Sequence, residues 1–148
     1  MIFIPDVNVL VYAVDEQSPF HHLSNEWLNG ALNGKSPVGF TWHSLAGFVR
    51  IITNPKITPK PRSATEALDS IESWLAQTPS RIIHPAGTHL ATFRHLVEAV
   101  GASGNRTTDA NLAAIVIDHD GEVVSCDSDF GKFPGLKWFN PVTGVRAS

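Results

Sequence analysis

The sequence predicts an α/β domain in three layers, with helices covering both faces of a mostly parallel sheet of about five strands. Three observations carry that expectation. Short apolar runs of strand length alternate with longer stretches of helical periodicity through most of the chain. Proline, glycine and Asn-Pro punctuation separates them. The 148 residues, 43% hydrophobic and 17% charged, suffice for one domain over 1–148, which at that size buries roughly 68–70% of its unfolded surface without staples. Parallel strands demand right-handed crossovers, and the intervening helices supply them.

Met1 to Pro5 is an apolar run that reads as a buried strand, and Val7 to Val14 as the helix after it. Ser18-Pro19 marks a helix start, because proline there gives up an N–H that needs no partner, and Phe20, Leu23, Trp27, Ala31 and Leu32 then keep helical spacing up to Gly34. Val38 to Thr41 is a second strand. Leu45, Phe48, Val49 and Ile52 repeat with a period near 3.6, so Trp42 to Thr53 is a helix, ended by Asn54-Pro55. Ser63-Ala64-Thr65-Glu66 has the form of a capping box, opening a helix to about Gln77 that buries Ala67, Leu68, Ile71, Trp74 and Leu75. Arg81 to His84 is a third strand, and Leu90, Phe93, Leu96, Val97 and Val100 mark a helix closed by Gly101. After the loop Gly101 to Asn105, Thr107 or Thr108 caps a helix with Leu112, Ala113, Ile115 and Val116 inside, which puts Asp109 in its first turn. That helix ends near Asp120-Gly121, Glu122 to Cys126 is the fourth strand, and Lys137-Trp138-Phe139 is a short edge strand.

With 11 Lys and Arg against 14 Asp and Glu, the net charge is −3, so no global positive field draws a polyanion. Contact with nucleic acid must be local. Lys56 to Arg62 places three cations and no anion in seven positions, which suits phosphate contact and equally suits a solvated proline-rich loop. Cys126 has no partner in the chain, which fits a reducing compartment and the cytosol. Met1 to Ile4 is too short for a signal h-region, and no apolar stretch approaches the roughly 18 residues of a membrane span.

The first and fourth strands each deliver an aspartate at the carboxyl end, Asp6 and Asp127, where open α/β sheets bind ligands. The helix leading into the fourth strand runs antiparallel to it, so Asp109 near its N-terminus comes to the same rim. Three gathered carboxylates repel unless protonated or neutralised. A hard dication, Mg²⁺ or Mn²⁺, resolves the conflict, and hydrolysis of a phosphodiester is the natural chemistry. Each aspartate alone has a structural explanation, as a helix cap, a helix-dipole partner or a turn residue; it is the convergence of three separate elements that favours a site. Asp129 either assists or caps the turn, Asn8 and Asn111 are accessory candidates, and Arg50, Lys56, Lys60 and Arg62 are candidates for contact with RNA.

The seven histidines lack zinc-site spacing, so they read as surface or helix-face residues. Ser125-Cys126-Asp127 looks like a nucleophile beside an acid, but a strand thiol without a basic neighbour is inert. The four tryptophans are mostly at core spacing, so stacking on a base is open only to an exposed one such as Trp42.

Ile4-Pro5-Asp6-Val7-Asn8-Val9-Leu10-Val11-Tyr12-Ala13, Thr108-Asp109-Ala110-Asn111-Leu112-Ala113-Ala114 and Val124-Ser125-Cys126-Asp127-Ser128-Asp129-Phe130, followed by Phe133 to Leu136, resemble the first, third and fourth motifs of the PIN-domain ribonucleases. Phe48-Val49-Arg50 with Thr53-Asn54-Pro55 is similar to a subgroup of the VapC toxins in that family. The resemblance covers nearly the whole chain. It implies a PIN-like sandwich, an endoribonuclease with Asp6, Asp109 and Asp127 as ligands of Mg²⁺ or Mn²⁺, and two partners, a second copy of the chain and a VapB-like antitoxin. One departure stands out. The family commonly carries a glutamate in the helix from Trp42 to Thr53; here Gly47 stands at the matching place, and no acidic residue lies between Glu26 and Glu66. Ser44 or His43 is a candidate substitute acting through water. Two rival functions follow: a weakened member that binds RNA or protein without cutting, and an aspartyl-phosphate phosphatase or phospho-receiver. The phosphatase wants Asp-x-Asp, where this chain has Asp6-Val7-Asn8.

Overall fold

The computed structural model describes residues 1–147. Its strands are β1 (Phe3–Pro5), β2 (Val38–Phe40), β3 (Ser80–Ile82), β4 (Glu122–Val124), β5 (Lys137–Phe139) and β6 (Arg146–Ala147), and they form one sheet in the order β3-β2-β1-β4-β5-β6. The first five are parallel, and β6 runs antiparallel to β5. The sheet therefore has six strands where about five were expected. Lys137–Phe139 is not the edge, because the last described residues turn back on it. Asn140 shapes that turn: its Oδ1 accepts from Val142 N–H at 2.9 Å and Thr143 N–H at 3.3 Å. Two residues with no apolar periodicity give no strand signal in a sequence.

The helices are α1 (Val7–Val14), α2 (His21–Leu32), α3 (Trp42–Ile52), α4 (Ala64–Leu75), α5 (His89–Val100) and α6 (Asn105–Asp118). The period-2 alternation of strands sends Val38 and Phe40 to one face of the sheet, with Leu10, Leu28, Phe48 and Trp74 of α1 to α4. Ile4 and Val123 face the other side, with Leu96 of α5 and Ala113, Ala114 and Val116 of α6. Trp74 stacks on Phe40 at 6.1 Å between centroids and meets Phe48 at 4.9 Å, which ties α4 through α3 to the sheet. Among the described residues no helix is long and apolar enough to cross a membrane.

Several boundaries differ from the sequence reading. The Ser63 capping box and the left-handed Gly101 cap are present as read. Ser18 Oγ accepts from Phe20 N–H, and the helix begins only at His21. The sixth helix starts at Asn105 behind Gly104, at φ 58°, rather than behind Thr107 or Thr108, so Asp109 lies beyond its first turn. Glycine supplies there a backbone conformation closed to a threonine cap. Leu68 and Leu90 are exposed, because α4 and α5 each bury one stripe and these residues sit beside it. The strand from Glu122 stops at Val124, which leaves Cys126 in the loop beyond the rim.

β1 and β4 carry two of the three aspartates and pair in register, Ile4 with Val123. Gly121 permits the pairing: a Cβ there would lie 2.8 Å from the Ile2 carbonyl oxygen, which already accepts from Glu122 N–H at 2.9 Å. Gly121→Ala is expected to cost about 2 kcal/mol, in the range for overpacking against unyielding atoms. Denaturant unfolding checks this, and an unchanged midpoint would show that the strand pair can shift.

Candidate metal and phosphodiester site

Asp6 directly follows β1. Its backbone N–H donates to the Val124 carbonyl at 2.9 Å, which stitches the end of β1 to β4. Its side chain is held at both oxygens: Oδ1 accepts from Val7 N–H at 2.8 Å, capping α1, and Oδ2 accepts from Ser125 Oγ–H at 2.8 Å. Ser125 Oγ in turn accepts from Asn8 Nδ2 at 3.2 Å and from Asp127 N–H at 3.1 Å. Asn8 Oδ1 accepts from Cys126 N–H at 3.3 Å. One fully buried hydroxyl thus joins Asp6, Asn8 and the backbone of Asp127. The Ser125 carbonyl is anchored from behind by Trp138 Nε1–H at 2.9 Å. The sequence reading gives Ser125 no role, because attention at Ser125-Cys126-Asp127 falls on the thiol; its place just past β4, facing Asp6, was the available signal.

The three carboxylates feel one another. Burial pushes the Asp109 carboxyl up to about 6, aided by the charges of Asp127, Asp6 and Asp129, with the Arg106 guanidinium pulling the other way. Burial also raises Asp6, against the hydrogen bonds from Ser125 and Val7; Asp127 adds to the rise and His43 opposes it. Residues 6, 109 and 127 therefore share one electrostatic neighbourhood at the carboxyl ends of β1 and β4, with excess negative charge for a cation to neutralise. The all-oxygen donor set suits a hard dication. Among the described residues, however, no three His, Cys, Asp or Glu side chains stand together as a ready-made metal-binding group.

A cleft of about 620 Å³ opens beside the carboxylates, walled by Asp6 and Asn8, by His43 and Arg50 of α3, and by Asp109. Asp15 also lines it, an acid missed by the sequence reading because it lies at the far end of α1. Arg50 is exposed and placed to meet an anion there. Lys56 and Lys60 are exposed but do not line the cleft. Arg62 is engaged elsewhere, donating from Nη2 to the Val14 carbonyl at 3.0 Å and from Nη1 to that of Lys60 at 3.2 Å. Asn111 faces α5, with Oδ1 2.7 Å from His89 Nε2. Asp129 pairs with Lys132 at 2.9 Å, which holds its carboxyl below the usual range, and its N–H caps back onto Asp127 Oδ1 at 2.9 Å.

Gly47 abuts α1: a Cβ there would lie 3.0 Å from Val7 Cγ2. The residue without a side chain lets α3 approach the helix that Asp6 caps. Of the two candidate substitutes, His43 lines the cleft and acts on Asp6, whereas Ser44 is fully buried and its Oγ has no partner. Burial pushes the Cys126 thiol up to about 11, so it is not a thiolate at neutral pH.

Comparison with known proteins adds three findings. The PIN domain model matches residues 3–136. Ribonuclease VapC37 of Mycobacterium tuberculosis is 39% identical over 138 residues, which are 93% of this chain and 96% of that relative. Two solved structures share the fold: VapBC2 from Rickettsia felis bound to a promoter DNA fragment, with a TM-score of 0.67 at 19% identity over 95% of this chain and 98% of that one, and a toxin–antitoxin complex from Klebsiella pneumoniae, with 0.62 at 14% over 93% and 96%.

Proposed function

Because the chain belongs to the PIN-domain family and is a VapC-type ribonuclease of the toxin–antitoxin class, we propose that it hydrolyses phosphodiester bonds within RNA at the rim that holds Asp6, Asp109 and Asp127. The observation that carries this reading is that those carboxylates, drawn from three distant segments, share one electrostatic neighbourhood, in which burial, added to by the charges of Asp127 and Asp6, lifts Asp109 to about 6. They are the proposed ligands of Mg²⁺ or Mn²⁺. When bound, such an ion polarises a phosphoryl oxygen and lowers the pKa of water.

The remaining work falls to side chains of this chain. Ser125 and Asn8 hold Asp6 and the Asp127 loop in fixed relation, so the carboxylates are aligned before substrate arrives. Arg50, on the wall of the cleft, provides a charged donor for a phosphate. His43 is placed to moderate the charge on Asp6. With a net charge of −3 the protein has no general attraction for a polyanion, so affinity for RNA should depend on the bound cation. A VapB-like antitoxin and a second copy of the chain are the proposed partners, with action in the cytosol; support for the antitoxin comes from the toxin–antitoxin complex among the structural neighbours.

The test is cleavage of structured RNA with Mg²⁺ or Mn²⁺ by the chain and by Asp6→Asn, together with thermal unfolding. Mg²⁺ is expected to raise the melting temperature of the unaltered protein and to leave Asp6→Asn nearly unmoved. Cleavage that survives both the substitution and chelation would exclude the mechanism. A second reading, binding of RNA or protein without cleavage, draws on Gly47 and on the lack of a ready-made metal group among the described residues. Metal-independent RNA binding with no cleavage would favour it.

A further inference from the structure

The cleft beside the carboxylates continues well past them. Val7, Val11 and Asp15 line it from α1 at the spacing of one helical stripe, and Arg50 and Ile51 line it from α3. Asp6 caps the start of α1 and Asp15 its end, which at 1.5 Å per residue separates them by about 13 Å along the axis. One ion cannot bridge that distance. Asp15 therefore belongs to a second part of the cleft, away from the proposed metal ligands. At about 620 Å³ the whole cleft has room for more than a phosphate, within the range of sites that hold a ligand of nucleotide size.

Asp15 is 9% exposed, deep burial for an acid. Its Oδ1 accepts from Gln17 N–H at 3.1 Å. Among the described residues Oδ2 makes neither a hydrogen bond nor an ion pair, and it is not one of the buried polar atoms left without a partner. It therefore keeps contact with solvent, and the solvent along this residue is that of the cleft it lines. Arg62 lies on the carbonyl of the adjoining Val14, but its donors go to that oxygen and to the Lys60 carbonyl. The other charged or titratable groups on the cleft wall are Asp6 and Asp109 at the rim, His43, and Arg50. A cationic side chain entering to meet Asp15 would face Arg50. A nucleotide has no such conflict, because its phosphate suits Arg50 and its base can lie between Val11, Ile51 and the half-exposed Ile57 while its edge meets Asp15.

We infer that the far end of the cleft receives a guanine base near the scissile phosphate and that Asp15 is the residue that selects it. A carboxylate oxygen accepts and never donates, and it has two lone pairs. Guanine alone among the four bases has two N–H donors side by side on its Watson–Crick edge, at N1 and N2. Adenine, cytosine and uracil each offer one donor group there with an acceptor beside it, so they give Asp15 one hydrogen bond and turn a lone pair towards its charge. The inference rests on the ribonuclease reading above for its substrate. Single-stranded RNA is the suitable form, because only an unpaired base shows that edge.

The experiment gives the full chain short fluorescent uridine strands that carry one central guanosine, inosine, adenosine or cytidine, or none. It is run in Mg²⁺, because an acidic cleft needs the cation to admit RNA, and each sample is checked on a gel for cutting. Strands that stay whole are ranked by Kd, and strands that are cut by kcat/KM. Inosine differs from guanosine only in lacking the N2 amino group, so the guanosine strand should be favoured over the inosine strand by about tenfold, in keeping with the discrimination a good base contact supplies. Asp15→Asn keeps an oxygen for the Gln17 N–H and puts a donor in place of Oδ2, so it should bring the guanosine strand down to the level of the inosine strand or below. Equal ranking of guanosine and inosine strands by the unaltered protein, use of no strand, or an undiminished guanosine preference in a folded Asp15→Asn overturns the inference; the last would leave Asp15 as a helix cap alone. If the variant fails to fold, the guanosine and inosine strands on the unaltered protein decide. Guanosine preference in binding with every strand left whole would refute the ribonuclease reading and leave this one standing; cutting without regard to guanosine would do the reverse.

Discussion

Asp109→Asn is expected to reduce RNA cleavage by on the order of a hundredfold or more and, in the absence of metal, to make the fold more stable at pH 7.5 by about 1 kcal/mol. The second effect follows from the carboxyl having a folded-state pKa of about 6 against an ordinary 3.8, with burial as the main cause. The folded protein holds that proton more tightly than the unfolded chain does. The associated stability is therefore fully present below about 3.8 and is lost as the pH rises through about 6. At pH 7.5 the charged carboxylate sits in a site that disfavours it, and asparagine removes the charge. The full shift corresponds to more than 1 kcal/mol, but Asp109 is only partly buried and solvent screens part of it. Urea unfolding of both proteins at pH 7.5 and pH 4, in EDTA, measures the difference. The gain at pH 7.5 should shrink towards zero at pH 4; a variant less stable than its parent at pH 7.5 would mean the carboxylate makes favourable contacts that outweigh its charge. Mg²⁺ should narrow the gap from the other side by stabilising only the unaltered site.

The second large effect is expected at Ser125. Removing its hydroxyl by Ser125→Ala leaves Asp6 Oδ2, Asn8 Nδ2 and the Asp127 N–H without their common partner. Because Ser125 is fully buried, water cannot readily take the place of the lost oxygen. The expected cost is about 1–3 kcal/mol in stability and about ten- to a hundredfold in cleavage, the usual range when a residue that orients metal ligands is lost. Ser125→Thr retains an oxygen and should recover part of the activity. A positioning role also predicts a weaker Mg²⁺ response in thermal unfolding of Ser125→Ala. If the alanine variant kept full cleavage and an unchanged Mg²⁺ response, the hydroxyl would have no part in aligning Asp6 and Asp127.

The local chemistry of the chain fixed its elements to within a few residues wherever a cap or a period was strong. The Ser63–Glu66 capping box, the Gly101 cap and the run from Trp42 to Ile52 are cases in which short-range bonds and one buried stripe decide the outcome. Weak local signals gave the misreadings. β6 is a two-residue strand that exists because the Asn140 turn brings it to β5, and Gly104 takes over the start of α6 from two threonines with good capping chemistry. Leu68 and Leu90 are apolar, but the sheet faces only one stripe of each helix.

What the sequence determined by itself is the order of strands and helices and the presence of an aspartate just beyond each of two strands, since apolar periodicity and turn chemistry act over a few residues. Only the tertiary structure decided which groups share a space: that Ser125 bridges Asp6 and Asp127, and that Arg62 and Asn111 are occupied elsewhere while Arg50 lines the cleft. Those relations join residues up to 119 positions apart. Hydrogen bonds and burial depend on distances in space, and a distance of that kind is created by sheet pairing, which no local pattern encodes.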